Sequence, residues 1–212
     1  MSLVNYATRE ITCKIVYYGP GRSGKTTNLH YIHGQVPEDR KGKMVSLATQ
    51  TDRTLFFDFL PLDLGSISGF TTKFQLYTVP GQIYYQTTRK LVLQGADGVV
   101  FVADSQARQL EENIESFQDL HANLAEHGID PRVMPLVVQY NKQDLPPELV
   151  LPVAELSDAI NFRNVPEFAA DALHGPGVFE TLRGISEIVL RRLSAGSSSA
   201  GAVGSASATG TR

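Results

Sequence analysis

Two short stretches hold residue types whose spacing suits a grip on the two ends of a nucleotide. The first, Gly19-Pro20-Gly21-Arg22-Ser23-Gly24-Lys25-Thr26, fits G-x-x-x-x-G-K-[ST]. A backbone curled there turns successive N–H groups inward, where they can meet phosphate oxygens. Glycine permits the curl and the close approach, and the positive end of a following helix adds attraction. Lys25 is placed to meet β- and γ-phosphates, and the Thr26 hydroxyl to ligate Mg²⁺. Gly19, Pro20, Gly21, Arg22, Ser23, Gly24 and the adjacent Thr27 complete this set of nucleotide-contacting candidates. Arg22 needs only its backbone N–H for the cradle. Its side chain is left open between solvent, neighbouring loops and a partner.

The second stretch, Asn141-Lys142-Gln143-Asp144, closes an apolar run and precedes Pro146-Pro147. The Asp144 carboxylate can accept from the adjacent donors N1–H and N2–H₂ of guanine. Adenine has no N1 donor and would leave that carboxylate unpaired, a mismatch that such sites reject by about 10⁴ or more. The Lys142 stem can lie against the base, and Asn141 can tie the segment to the phosphate loop.

These motifs need strand ends to hold them. Strand-like runs occur at Thr12–Tyr18, Leu55–Leu60, Thr72–Val79, Gly98–Asp104 and Met134–Asn141. Helical spacing marks Lys25 to about His33, Ile83–Gln94, Gln109 to about His127 and Val178–Leu193. The expected fold class is α/β, and the first motif makes it a P-loop NTPase. It should have a mainly parallel six-stranded sheet with helices on both faces. Pro61–Thr71 is too short for a crossover, so the strands flanking it should form an antiparallel hairpin at one edge. Ligands of such sheets sit beyond the carboxyl ends of the strands, where both motifs fall.

The arrangement resembles the Ras-like small GTPases. The stretches KIVYYGPGRSGKTTN, DRTLFFDFLPLDLG, LYTVPGQ, DGVVFVADSQ and QYNKQDLP resemble, more closely, the MglA family of bacterial and archaeal cell-polarity and gliding-motility GTPases. The resemblance runs to about Leu193 and implies a GTP/GDP switch that hydrolyses GTP with Mg²⁺. Within it, Thr78-Val79-Pro80-Gly81-Gln82 stands where relatives have D-x-x-G-Q. Gly81 then offers its N–H to the γ-phosphate, with Pro80 beside it, and Gln82 orients the attacking water. Thr78 replaces the aspartate that usually holds Mg²⁺ through water, a departure that MglA-like proteins share. Thr49, Thr51 and Thr54 offer hydroxyls for Mg²⁺, and the resemblance favours Thr54. Arg53 is expected to be an arginine finger supplied by the chain itself, worth about 10³–10⁵ in rate; the alternative is a solvent-facing arginine. Asp171-Ala172-Leu173 matches the S-A-K guanine loop through Ala172, whose N–H could meet guanine O6; Leu173 departs from the pattern.

For partners, the resemblance implies a roadblock-type, MglB-like activator that binds as a homodimer, and effectors that stay unidentified. Alternation along Leu55–Leu60 puts Leu55, Phe57 and Phe59 on one face and Phe56, Asp58 and Leu60 on the other. One face should be core and the other either buried or a docking surface near the switches; Tyr84 and Tyr85 carry the same ambiguity. Two other functions compete with the switch. A nucleotide-bound scaffold with little turnover is left room by Thr78, and a P-loop ATPase or kinase is disfavoured by Asp144.

Composition limits the rest. The chain has 212 residues, 42% of them hydrophobic and 19% charged, with a formal net charge of −3. That supports a packed core and gives no basic field for nucleic acid. Residues 1–193 read as the GTPase domain, and the Ser/Ala/Gly-rich residues 194–212 as a disordered tail with no prenylation box. No apolar run suggests a membrane span. The single cysteine, Cys13, reads as a core residue in a reducing compartment. The expectation is a cytoplasmic chain, monomeric alone, without a lipid anchor, recruited to a cell pole by partners. The five histidines carry no role.

Overall fold

The computed structural model describes residues 3–5, 7–47, 57–67, 69–81 and 85–200. The strands are β1 (Leu3–Asn5), β2 (Glu10–Tyr18), β3 (Val45–Leu47), β4 (Phe57–Ile67), β5 (Phe70–Thr78), β6 (Gly98–Asp104), β7 (Leu136–Asn141) and β8 (Glu167–Ala169). The helices are α1 (Lys25–Gln35), α2 (Gln86–Leu93), α3 (Leu110–Glu126), α4 (Val153–Ile160) and α5 (Val178–Ala200), with short 3₁₀ turns at Glu38–Arg40, Ala107–Gln109 and Pro147–Leu149. The described strands form one sheet in the order β3-β4-β5-β2-β6-β7-β8. β1 pairs with the first residues of β2, ahead of the point where β6 joins it.

The pairs β5/β2, β2/β6, β6/β7 and β7/β8 are parallel, while β3/β4 and β4/β5 are antiparallel. The α/β class and the antiparallel edge are therefore as the sequence implies. Among the described residues the sheet has eight strands against the six expected. Three of them, β1, β3 and β8, are three residues long, too short for alternation to show in a sequence.

β4 also runs further than expected, through Pro61 to Ile67. A proline is allowed there because its missing N–H lies on the side away from β5. On that side β3 has already ended, and the Pro61 carbonyl accepts from the Gly42 N–H at 2.9 Å. The two-turn helix α4, which was not foreseen, buries Leu156 and Ile160.

Side-chain alternation sends β6 into two cores. Val99, Phe101 and Ala103 face one, with Leu93 of α2, Phe117, Leu120 and Leu124 of α3, and Leu156 and Ile160 of α4. Val100 and Val102 face the other, with Leu29 and Ile32 of α1 and Val178, Leu182, Ile185 and Val189 of α5. Phe101 and Phe117 meet edge-on at 4.8 Å. Cys13 is fully buried, and that burial pushes its thiol up to about 12. Among the described residues no helix is long and apolar enough to cross a membrane. α5 continues past Leu193 to Ala200.

The parallel order fixes the site. Tyr18, Thr78, Asp104 and Asn141 end β2, β5, β6 and β7. Four parallel strands bring these ends to one rim, the edge of the sheet at which such folds bind ligands.

Candidate functional site

Residues 19–24 turn from β2 into α1 with Gly19 at φ 143°, Arg22 at φ 62° and Gly24 at φ 100°. The two glycines are required by space as well as by backbone conformation. A Cβ on Gly19 would lie 2.2 Å from the Val102 carbonyl oxygen, and one on Gly24 would lie 2.1 Å from Asn141 Nδ2. Arg22 adopts the left-handed conformation without glycine's freedom. It is exposed and, with Thr27, lines a cavity of about 490 Å³ beside the loop.

Lys25, the first residue of α1, is 6% exposed. Its Nζ donates to the Gly19 carbonyl at 2.9 Å and the Pro20 carbonyl at 2.5 Å. Ser23 Oγ lies 3.5 Å away, at the limit of a useful bond. Burial, and secondarily the positive charge of Arg89, push this ammonium down to about 7. A buried cation held by two neutral carbonyls, with donor capacity to spare, suits an arriving anion.

Asn141 joins the motifs. Its Nδ2 donates to the Ser23 carbonyl at 2.8 Å, and its Oδ1 accepts from the Ala172 N–H at 2.9 Å. One buried side chain thus bridges the phosphate loop, the Asn141–Asp144 segment and the Asp171–Leu173 loop. The Ala172 N–H, expected to face guanine O6, is engaged with Asn141 here. Lys142 follows at φ 72°, with its Nζ on Asp104. Asp144 is exposed beside them. Asp171 accepts from the Leu173 and His174 N–H groups and holds His174 Nδ1 at 2.6 Å. Carboxylate and ring atoms of Asp144, Asp171 and His174 come within 4.8 Å of one another. Asp171 and His174 lie three residues apart in the chain, and the fold brings Asp144 to them.

The far side of the cavity is built around a residue the sequence reading did not assign. Asp58 of β4 is 9% exposed. Its Oδ2 accepts from Thr26 Oγ1 at 2.6 Å and Thr78 Oγ1 at 2.9 Å, and its Oδ1 accepts from Ser46 Oγ at 2.7 Å. The Asp58 N–H donates back to Thr78 Oγ1 at 2.8 Å. The carboxylate missing at position 78 is therefore present in space, supplied from the neighbouring strand. Hard oxygen donors gathered beside a phosphate loop fit Mg²⁺, and Thr26, Asp58 and Thr78 supply such donors here.

Phe57 and Phe59, on the opposite face of β4, are half-buried and pack on Tyr77 with ring centroids 5.9 and 4.8 Å away. Pro80 and Gly81 close the cavity. A Cβ on Gly81 would lie 2.3 Å from the Gly21 nitrogen, so this backbone rests against the phosphate loop. Thr49, Thr51, Arg53, Thr54, Leu55, Phe56, Gln82 and Tyr84 lie outside the described residues.

Comparison with known proteins agrees with this geometry. Residues 2–189 match the model of the ADP-ribosylation factor family. The chain is 57% identical over 196 residues to the mutual gliding-motility protein MglA of Myxococcus xanthus (strain DK1622), covering 92% of this chain and all of that protein. It is also 28% identical over 136 residues to ADP-ribosylation factor-like protein 6 of Caenorhabditis elegans, covering 62% of this chain and 61% of that one. The Caenorhabditis briggsae counterpart is 27% identical over 135 residues. The chain belongs to the ADP-ribosylation factor family and, within it, to the MglA family of small Ras-like GTPases, which hydrolyse GTP.

Proposed function

We propose that this protein is a magnesium-dependent GTP/GDP switch whose two states control cell polarity or gliding motility. The observation that carries the nucleotide reading is the Asn141 side chain, which joins the phosphate loop to the segment bearing Asp144. A guanine nucleotide suits a site spanning both, its phosphates on the loop and its base on Asp144. The process is proposed from the name of the Myxococcus relative.

Each residue then has a task. Amides of Gly19–Lys25 and the Lys25 ammonium neutralise the phosphates. Thr26, Thr54, Asp58 and Thr78 would together hold Mg²⁺. Held there, Mg²⁺ would supply neutralisation of the phosphate charge. Gly81 offers its N–H to the γ-phosphate, Gln82 orients water and Arg53 offsets charge that develops during transfer. An MglB-like homodimer of the roadblock type accelerates the reaction, docking near Phe57 and Phe59. The chain is monomeric on its own and is recruited to a pole by partners.

The competing reading, a scaffold with little turnover, draws on Thr78. The Asp58 carboxylate against Thr78 weakens it by restoring the negative charge. Single-turnover phosphate release from the full chain, wild type against Gln82→Ala, tests the assignment. The expected result is a loss of about 10²-fold or more in rate, with GDP affinity preserved. Equal rates would remove Gln82 from catalysis, and no turnover in wild type with a roadblock partner present would favour the scaffold.

A further inference from the structure

Asp104 ends the apolar strand β6 with a carboxylate that is 1% exposed. A buried charge survives only with partners, and those of Asp104 point one way. Lys142 Nζ donates to Oδ2 at 2.5 Å. Gln106 Nε2 reaches both carboxylate oxygens at 3.1 Å, and the Gln106 N–H adds a bond of 3.1 Å to Oδ1. Asn113 of α3 fixes the backbone beneath, accepting from the Asp104 N–H at 2.9 Å and donating to its carbonyl at 2.8 Å. The next residue extends the shelf. The Ser105 N–H donates to the Asn141 carbonyl at 3.0 Å, and Ser105 Oγ accepts from Gln143 Nε2 at 2.7 Å.

Lys142 holds a left-handed backbone at φ 72° without being glycine, and such strain persists only where surroundings over-determine it. An ammonium tied to a fixed carboxylate cannot roam, so the methylene stem between them is held along a defined line on the base side of the site. We propose that Asp104 is a positioning residue for guanine binding: it anchors the Lys142 ammonium so that the stem is preset as a floor for the base, and it steadies the segment that presents Asp144. This rests on the reading of Asn141–Asp144 as the base reader. It differs from a purely structural role because its effect must pass through Lys142.

The test is the dissociation rate of a fluorescent GDP analogue from the full chain with Mg²⁺ present, in wild type, Asp104→Asn, Lys142→Ala and the double variant. A lost charge-assisted hydrogen bond predicts about tenfold faster release for Asp104→Asn. Lys142→Ala should release faster as well, and the double variant should exceed Lys142→Ala by no more than about twofold, because the two act as one unit. Release from Asp104→Asn within twofold of wild type, or effects that multiply in the double variant, would overturn the proposal. Should Asp104→Asn fail to fold, Gln106→Ala replaces it. That variant loosens the same carboxylate from outside, with about threefold faster release expected and none in the Lys142→Ala background; an effect that persisted there would equally overturn it. Competition with ADP separates the two readings. Wild type that holds ADP as tightly as GDP defeats the base reader itself, whereas selective wild type with an unmoved Asp104→Asn defeats only Asp104.

Discussion

Around Asn141 the site is held by amide groups paired with one another: the Ser23 carbonyl, the Ala172 N–H and the Asn141 side chain between them. Around Asp58 it is held by three hydroxyls, from α1, β3 and β5, converging on one carboxylate. The first region is a scaffold, in which one buried amide pairs two backbone groups. The second is a set of bonds that a hard cation can replace one for one, because the same oxygens serve either as hydrogen-bond partners or as ligands. One side is therefore built to keep its shape and the other to change partners. A switch needs both: a grip that lasts through the cycle and a face that responds to the state of the ligand.

Asn141→Ala should have the largest consequence. It strands two buried backbone groups at once and uncouples three segments. Each stranded group costs about 1–3 kcal/mol, so GDP affinity should fall by about 100-fold or more, together with the melting temperature of the nucleotide-free chain. Equilibrium titration with a fluorescent guanine nucleotide measures it. An affinity within threefold of wild type would mean that the junction does not organise the site.

How readily each region could be read from the sequence follows from the same contrast. The phosphate loop and Asn141–Asp144 were visible because their chemistry depends on neighbours along the chain: glycines at Gly19 and Gly24, a lysine one residue on, a carboxylate three residues after an asparagine. The Asp58 centre was not. Asp58 sits opposite Ser46 in the pairing of β3 with β4, and the Phe59–Tyr77 pair next to it sets Asp58 across from Thr78. That register is a property of the assembled sheet. Thr78 could be seen as a departure from pattern, but the compensating charge lay 20 residues earlier, between Phe57 and Phe59 of β4. Asp104 was concealed likewise: it closed a recognised strand, and nothing local ties it to a lysine 38 residues away. Within the fold, Pro61 argued for a loop because its tolerance depends on β3 ending at the right place. β1, β3, β8 and α4 were too short to carry a period.

Asp58→Asn should act on the responsive side alone. The neutral amide keeps the shape and loses the charge that a divalent cation needs. The Mg²⁺ concentration that half-maximally slows GDP release should rise about tenfold, while the preference for guanine over adenine nucleotides stays as in wild type. Release rates measured across a magnesium titration, with ATP and GTP as competitors, report both. A changed base preference would show that the two regions are not separable in the way their bonding suggests.

Ser46→Ala is the mildest of the three and discriminates most finely. Ser46 is exposed on β3, and its hydroxyl reaches the Asp58 oxygen that the other two hydroxyls do not use. Water can take its place at that oxygen, so the loss should be small: about a twofold change in the magnesium half-point and in GDP release. A change as large as that of Asp58→Asn would mean that Ser46 ligates the cation itself. In that case β3 and β4, rather than β5, would carry the metal-responsive face, and docking near Phe57 and Phe59 would act on the ion through the strand that bears Asp58.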